Sequence, residues 1–168
     1  SLYLKYLFTL FCLLTLQVSS QNFAVYKQII STNKSIDIKI MSIDSLVQIE
    51  SKNKESSDYF RISDSFVVWL YRKNRLEKSL STLLKLIENT PPSDKRILEQ
   101  RRFQSSTIYR RSGNYNASIL TLKSIIKEKN YDGYYLKALY RIADDYNEIG
   151  DYQTSMIYYN LSEIELHN

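Results

Sequence analysis

This chain of 168 residues holds only three glycines, two prolines, one cysteine and one histidine. Each scarcity excludes something. Sheet sandwiches and barrels need many tight turns, so little glycine and proline points to helices with short connections. Cys12 is the only cysteine, and it lies in an apolar run expected to be removed. No disulfide framework and no thiolate metal site could then form. The one histidine, His167, stands beside the last residue, where a frayed terminus does not hold catalytic geometry. There is no glycine-rich phosphate loop and no Gly-x-Ser-x-Gly elbow. The acidic pairs Asp144-Asp145 and Glu163/Glu165 read as solvated helix faces. The chain is therefore expected not to be an enzyme, with no catalytic residues, no metal ligands and no cofactor.

What is present is apolar and aromatic. Hydrophobic residues make up 43%, and there are 15 tyrosines. That is enough for one domain with a sizeable core. Tyrosine can fill a helix–helix seam while its hydroxyl reaches water. The net charge of +5 is a mild excess, below the density of a nucleic-acid binder, so no nucleic acid is expected.

Residues 1–20 read as a signal peptide. Lys5 supplies the positive region, Leu7 to Leu16 is nearly unbroken and apolar, and Val18-Ser19-Ser20 resembles a cleavage site before Gln21. The run is short for a membrane span of about 20 residues. Export to the periplasm or cell envelope is expected. The alternative is an uncleaved anchor over residues 2–18, the one case in which a membrane is a partner.

One phrase repeats. Gly150-Asp151-Tyr152 recurs as Gly113-Asn114-Tyr115, 37 residues earlier, and in worn form as Asn74-Arg75-Leu76, 39 residues before that. A self-similar period of this size implies stacked helical hairpins. Leu139, Ile142, Ala143 and Tyr146 follow the spacing of one helical face. Ser79, Ser106, Ser118, Ala143 and Ser155 are small enough for close helix contact. Gly113 and Gly150 follow helical runs, where a positive φ ends a helix at little cost, and Asn74 is the next best residue there. These three are the predicted structural turn residues. Asn114 and Asp151 suit the next N-cap.

The flanks resemble the tetratricopeptide repeat (TPR) family over about residues 60–168. The last unit reads Leu139-x2-Ile142-Ala143-x2-Tyr146, Gly150-Asp151-Tyr152, Ser155-x3-Tyr159. The middle one reads Ser106-x2-Tyr109, Gly113-Asn114-Tyr115, Ser118-x3-Leu122. The first reads Phe66-Val67-x2-Leu70, Asn74-Arg75-Leu76, Ser79-x3-Leu83, with Pro91 in the closing slot. The resemblance implies an all-α, TPR-like helical-hairpin solenoid, a right-handed superhelix of about eight helices including the signal segment. Its parts would be a signal peptide or N-terminal anchor at 1–20, a divergent helix pair at 21–58, and repeats at about 60–92, 99–130 and 136–168 within 59–168. In the N-terminal pair Ile36, Ile40, Ile43 and Val47 share a helical face. The final helix is expected to leave Met156, Tyr159 and Ile164 partly uncovered.

In TPR proteins the first helices of successive units line a concave groove. By register, the peptide-binding candidates are Phe103, Thr107 and Arg110 in the middle unit and Lys137, Tyr140, Arg141, Asp144 and Asn147 in the last. Lys137 and Arg141 look like half of the carboxylate clamp with which some TPR domains hold a peptide terminus. Asp64, Val68 and Gln104 depart from its other half. The basic cluster Lys95, Arg96, Arg101, Arg102, Arg110 and Arg111 reads as a solvated face or as a receptor for an acidic segment. The expected function is non-catalytic protein or peptide binding by an exported scaffold whose partner is unidentified. The alternative is the N-terminal sensor or scaffold segment of a larger signalling protein carrying a kinase, a transcription regulator or a peptidase.

Overall fold

The computed structural model describes residues 21–52 and 57–167. The expected signal segment lies outside them. Among the described residues every regular element is a helix, and there are eight. Residues 21–31 form α1. The others are α2 (Ile36–Ser51), α3 (Ser57–Arg72), α4 (Leu76–Glu88), α5 (Lys95–Arg111), α6 (Tyr115–Ile126), α7 (Tyr135–Glu148) and α8 (Tyr152–Leu166). No described helix is long and apolar enough to cross a membrane.

The chain groups into two compact units, residues 1–66 and 67–168, which divide within α3. In the first, α2 buries Ile43, Leu46 and Glu50. Of the Ile36/Ile40/Ile43/Val47 face, Ile43 is buried and the other three are half-buried, and beside it Asn22 of α1 donates to the buried Glu50 carboxylate. The Lys39 ammonium caps the open end of α1 by donating to the Ile30 carbonyl at 2.8 Å.

The second unit repeats one device three times. At each hairpin a residue with positive φ ends the first helix: Asn74 at 58°, Gly113 at 76° and Gly150 at 83°. The next N–H reaches back five residues to a carbonyl: Arg75 to Leu70, Asn114 to Tyr109 and Asp151 to Tyr146, each at 2.9 Å. That is the Schellman closure, which satisfies carbonyls a helix end would leave bare. Asn114 and Asp151 then cap the second helix, each carboxyl or amide oxygen accepting from a backbone N–H at 3.1 Å. Arg75 makes no side-chain cap.

Serines fasten the hairpins as well as sparing room. The Ser79 hydroxyl donates to the Val67 carbonyl at 2.9 Å, and Ser155 donates to Ala143 at 2.8 Å in the same register. Between α6 and α7 the core is Ile119, Leu122, Ile125, Ala138 and Ile142, flanked by Phe103, Ile126, Tyr134, Tyr146 and Tyr158. The connection before α7 is pinned by buried Glu99 of α5, whose carboxylate accepts from the Asn130 amide at 3.2 Å and from the Tyr134 N–H at 3.3 Å. On α8, Met156, Ile157 and Ile164 are exposed, and Tyr159 is half-buried.

Candidate functional site

Helices α5 and α7 are the first members of consecutive hairpins. Phe103, Thr107 and Arg110 lie at i, i+4 and i+7 on α5, and Lys137, Tyr140, Arg141, Asp144 and Asn147 follow the same spacing on α7. Two of these rows meet. The Arg141 guanidinium donates to the Thr107 hydroxyl at 3.3 Å and stacks over the Phe103 ring at 4.9 Å. Arg110 stands 3.1 Å from the Asp145 carboxylate and 3.8 Å from that of Asp144. Asp144 also accepts from the Tyr159 hydroxyl at 2.5 Å. Tyr140 packs edge-on against Tyr159 at 5.3 Å, yet remains 56% exposed. Lys137 lies over the Tyr134 ring at 5.3 Å. Lys137 and Asn147 are exposed, while Phe103, Thr107, Arg110, Arg141 and Asp144 are half-buried.

One expectation is corrected. Asp144 and Asp145 do not form one solvated acidic pair, because consecutive helical residues point about 100° apart. Asp144 is half-buried between Arg110 and Tyr159, whereas Asp145 is 0% exposed and accepts from the Ser118 hydroxyl at 2.5 Å. Burial is the main cause that pushes the Asp145 carboxyl above the ordinary carboxylate range, opposed by Ser118 and then by Arg110 and Arg141. The Arg141 guanidinium is lowered from its ordinary value, first by burial and then by repulsion from Arg110. The Tyr159 hydroxyl is pushed up to about 12, chiefly by its hydrogen bond to Asp144. Arg110 thus serves a structural pair as much as an open surface.

Sequence reasoning missed Tyr71 and placed Arg111 only in the basic cluster. The Arg111 guanidinium donates to the Tyr71 carbonyl at 3.0 Å and stacks over its ring at 4.4 Å. The 39-residue offset that relates Asn74 to Gly113 also relates Tyr71 to Arg110, so the repeat register held the signal for Tyr71. It held none for Arg111, whose neighbour Arg110 carries the groove register. Apart from this face, a cavity of about 250 Å³ is lined by Pro92, Lys95, Leu98, Glu99, Arg102 and Glu128, so Lys95 and Arg102 of the basic cluster sit there rather than among the groove candidates. Among the described residues no three His, Cys, Asp or Glu are grouped to hold a metal ion.

The geometry has known counterparts. The crystal structure of nearly identical TPR-like repeats from a protein of Podosopora anserina described as a kinesin light chain aligns with a TM-score of 0.61 and 12% identity. The match covers 76% of this chain and 65% of that one. A point variant of the same protein aligns with a TM-score of 0.60, again at 12% identity and with the same coverage. This chain therefore spans slightly less than two thirds of the length of those structures. No protein-family model matches the sequence, and no curated protein matches it. The chain has the TPR-like fold, all-helical and built of repeated hairpins.

Proposed function

We propose that this protein is a non-catalytic scaffold that binds a protein or peptide along the α5/α7 face. The observation that carries the reading is Tyr140, a large aromatic left 56% exposed beside open Lys137 and Asn147. An amphipathic ring at a half-desolvated face is a typical anchor for a partner. Half-buried Phe103 and Arg141 form the adjoining floor. The double variant Tyr140→Ala/Asn147→Ala removes contact area without touching the Arg110–Asp145 pair. It is expected to retain partner at least about tenfold less well in affinity capture, with a melting temperature within about 2 °C of the parent. Unchanged retention would refute the reading.

Export to the cell envelope is the second part of the proposal. It rests on Lys5, the apolar run Leu7 to Leu16 and Val18-Ser19-Ser20. A native protein beginning at Gln21 supports export with cleavage, and one retaining residues 1–20 counts against it. The same mass measurement tests the runner-up reading, in which these repeats are the sensor or scaffold segment of a larger signalling protein.

A further inference from the structure

Two edges of the array are equivalent by register, and only one is covered. Helices α5 and α6 present an edge to α7, and the offset of 37 residues from Gly113 to Gly150 maps that edge onto α7 and α8. On α6 it is the stripe Tyr115, Ile119, Leu122 and Ile126, spaced i, i+4, i+7 and i+11. Ala138 and Ile142 of α7 pack on it, and Ile119 and Leu122 are buried. The same stripe on α8 is Tyr152, Met156, Tyr159 and Glu163. There Tyr152 is 68% exposed and Met156 61%. Exposed Leu166 continues the stripe.

The edges differ in charge as well as in cover. Asp144 stands for Thr107, Asn147 for Arg110, Asn160 for Lys123 and Glu163 for Ile126. Each of these exchanges is one unit more negative. The inner edge spends its cations on α7: Arg110 pairs with Asp145, and Lys123 donates to the Tyr146 hydroxyl at 2.8 Å. Residues 142–168 contain no Lys or Arg, although the whole chain carries +5. We infer that the open α7/α8 edge receives an amphipathic helix of a partner protein. The apolar stripe of that helix lies on Tyr152 and Met156, and its Lys or Arg side chains face Glu163 and Asp144. The inner junction fixes where one cation falls. Arg141 lies over the Phe103 ring and donates to the Thr107 hydroxyl. At the outer edge the equivalent ring is Tyr140 and the equivalent acceptor is the Asp144 carboxylate, so a cation there meets a charged acceptor instead of a neutral one. One Asp144 oxygen accepts from Tyr159, and the other lies 3.8 Å from Arg110, beyond hydrogen-bond distance. A symmetric pairing of two such edges would set like charges together. The edge shares Tyr140 with the face proposed above but does not depend on that reading.

The test is fluorescence anisotropy of the full chain with two labelled helical peptides of equal length and helicity. Both carry Leu at i, i+3, i+4 and i+7. One has Lys and Arg beside that stripe, and the other has Glu. The basic peptide is expected to bind at least about tenfold more tightly, with the gap narrowing as salt rises. The double variant Tyr152→Ser/Met156→Ser is expected to weaken the basic peptide at least about tenfold. Glu163→Lys is expected to remove most of the gap between the peptides. Ile157→Ser, on a side of α8 about 100° from Met156, is expected to leave both affinities unchanged. All of these side chains are exposed, so each variant should melt within about 2 °C of the parent. No binding, equal binding or a preference for the acidic peptide would overturn the inference. Basic-peptide binding that survives Tyr152→Ser/Met156→Ser would also overturn it, by placing the site elsewhere. A dimer in sedimentation that this double variant dissolves would overturn it in favour of a second copy. None of these substitutions touches the α5/α7 candidates, so each failure leaves that reading to stand or fall on Tyr140→Ala/Asn147→Ala.

Discussion

The fastening that recurs in each hairpin and the contact between α5 and α7 of neighbouring hairpins are made by different chemistry. Within the α7/α8 hairpin the fastenings are backbone devices: the Gly150 turn, the Asp151 cap and the Ser155 hydroxyl on the Ala143 carbonyl. Between α5 and α7 they are side-chain charges: Arg110 with Asp144 and Asp145, and Arg141 on Thr107 and Phe103. Backbone devices depend on one residue's conformation and recur from unit to unit. Charged contacts depend on which side chains happen to face each other, so each junction can be tuned separately. The difference teaches where a repeat array keeps its uniform structure and where it can acquire a binding character.

The strongest way to break this contrast is charge reversal at the between-hairpin contact. Arg110→Glu would face buried Asp145 with a like charge, and is expected to cost about 3–5 kcal/mol in chemical denaturation. A reversal tolerated without loss would mean that the pair carries no structural weight. Next comes the backbone device. Gly150→Val puts a β-branched residue at φ +83°, an expected cost of about 1–3 kcal/mol. No atom lies within 4 Å of the added Cβ, so the effect is conformational and not steric. Calorimetry of Gly150→Ala beside it should show a smaller loss of the same origin.

The legibility of the molecule follows the same division. The hairpin turns were readable because Gly-Asn-Tyr and Gly-Asp-Tyr name a left-handed residue, a cap and a packing residue in order. Asn74 was readable as their worn equivalent, for its side chain tolerates positive φ. The fold class followed from these phrases and from the scarcity of glycine and proline elsewhere. The α5/α7 face was only half readable. Register placed Phe103, Thr107 and Arg110 on one side of α5, but nothing in the linear chain paired Arg110 with Asp145. The clue lay in spacing: Ala138, Ile142 and Asp145 stand at i, i+4 and i+7, so Asp145 continues the core stripe while Asp144 does not. The Ser118–Asp145 bond spans 27 residues, a separation at which local pattern carries no signal.

The finest test of the charged contact is its pH dependence. Burial favours protonated Asp145 in the folded state, so its folded pKa lies above the unfolded value. The folded chain then holds more protons than the unfolded one between those two values, and stability contributed there falls as pH rises. Asp145→Asn cannot ionise. The melting temperature of the variant relative to the parent is therefore expected to rise between pH 4 and pH 7, by a few degrees at most. A difference that falls over that window would mean the Arg110 pair outweighs burial.

The most direct measurement of the central claim is site-specific photo-crosslinking in cells of the source organism. A photoreactive residue would replace Tyr140 on the α7 face in one experiment and Leu120, 70% exposed on α6, in another. A discrete partner adduct at position 140, absent at position 120, is the expected result. Adducts of equal yield at both positions, or adducts only at position 120, would contradict the assignment of the α5/α7 face as the binding surface.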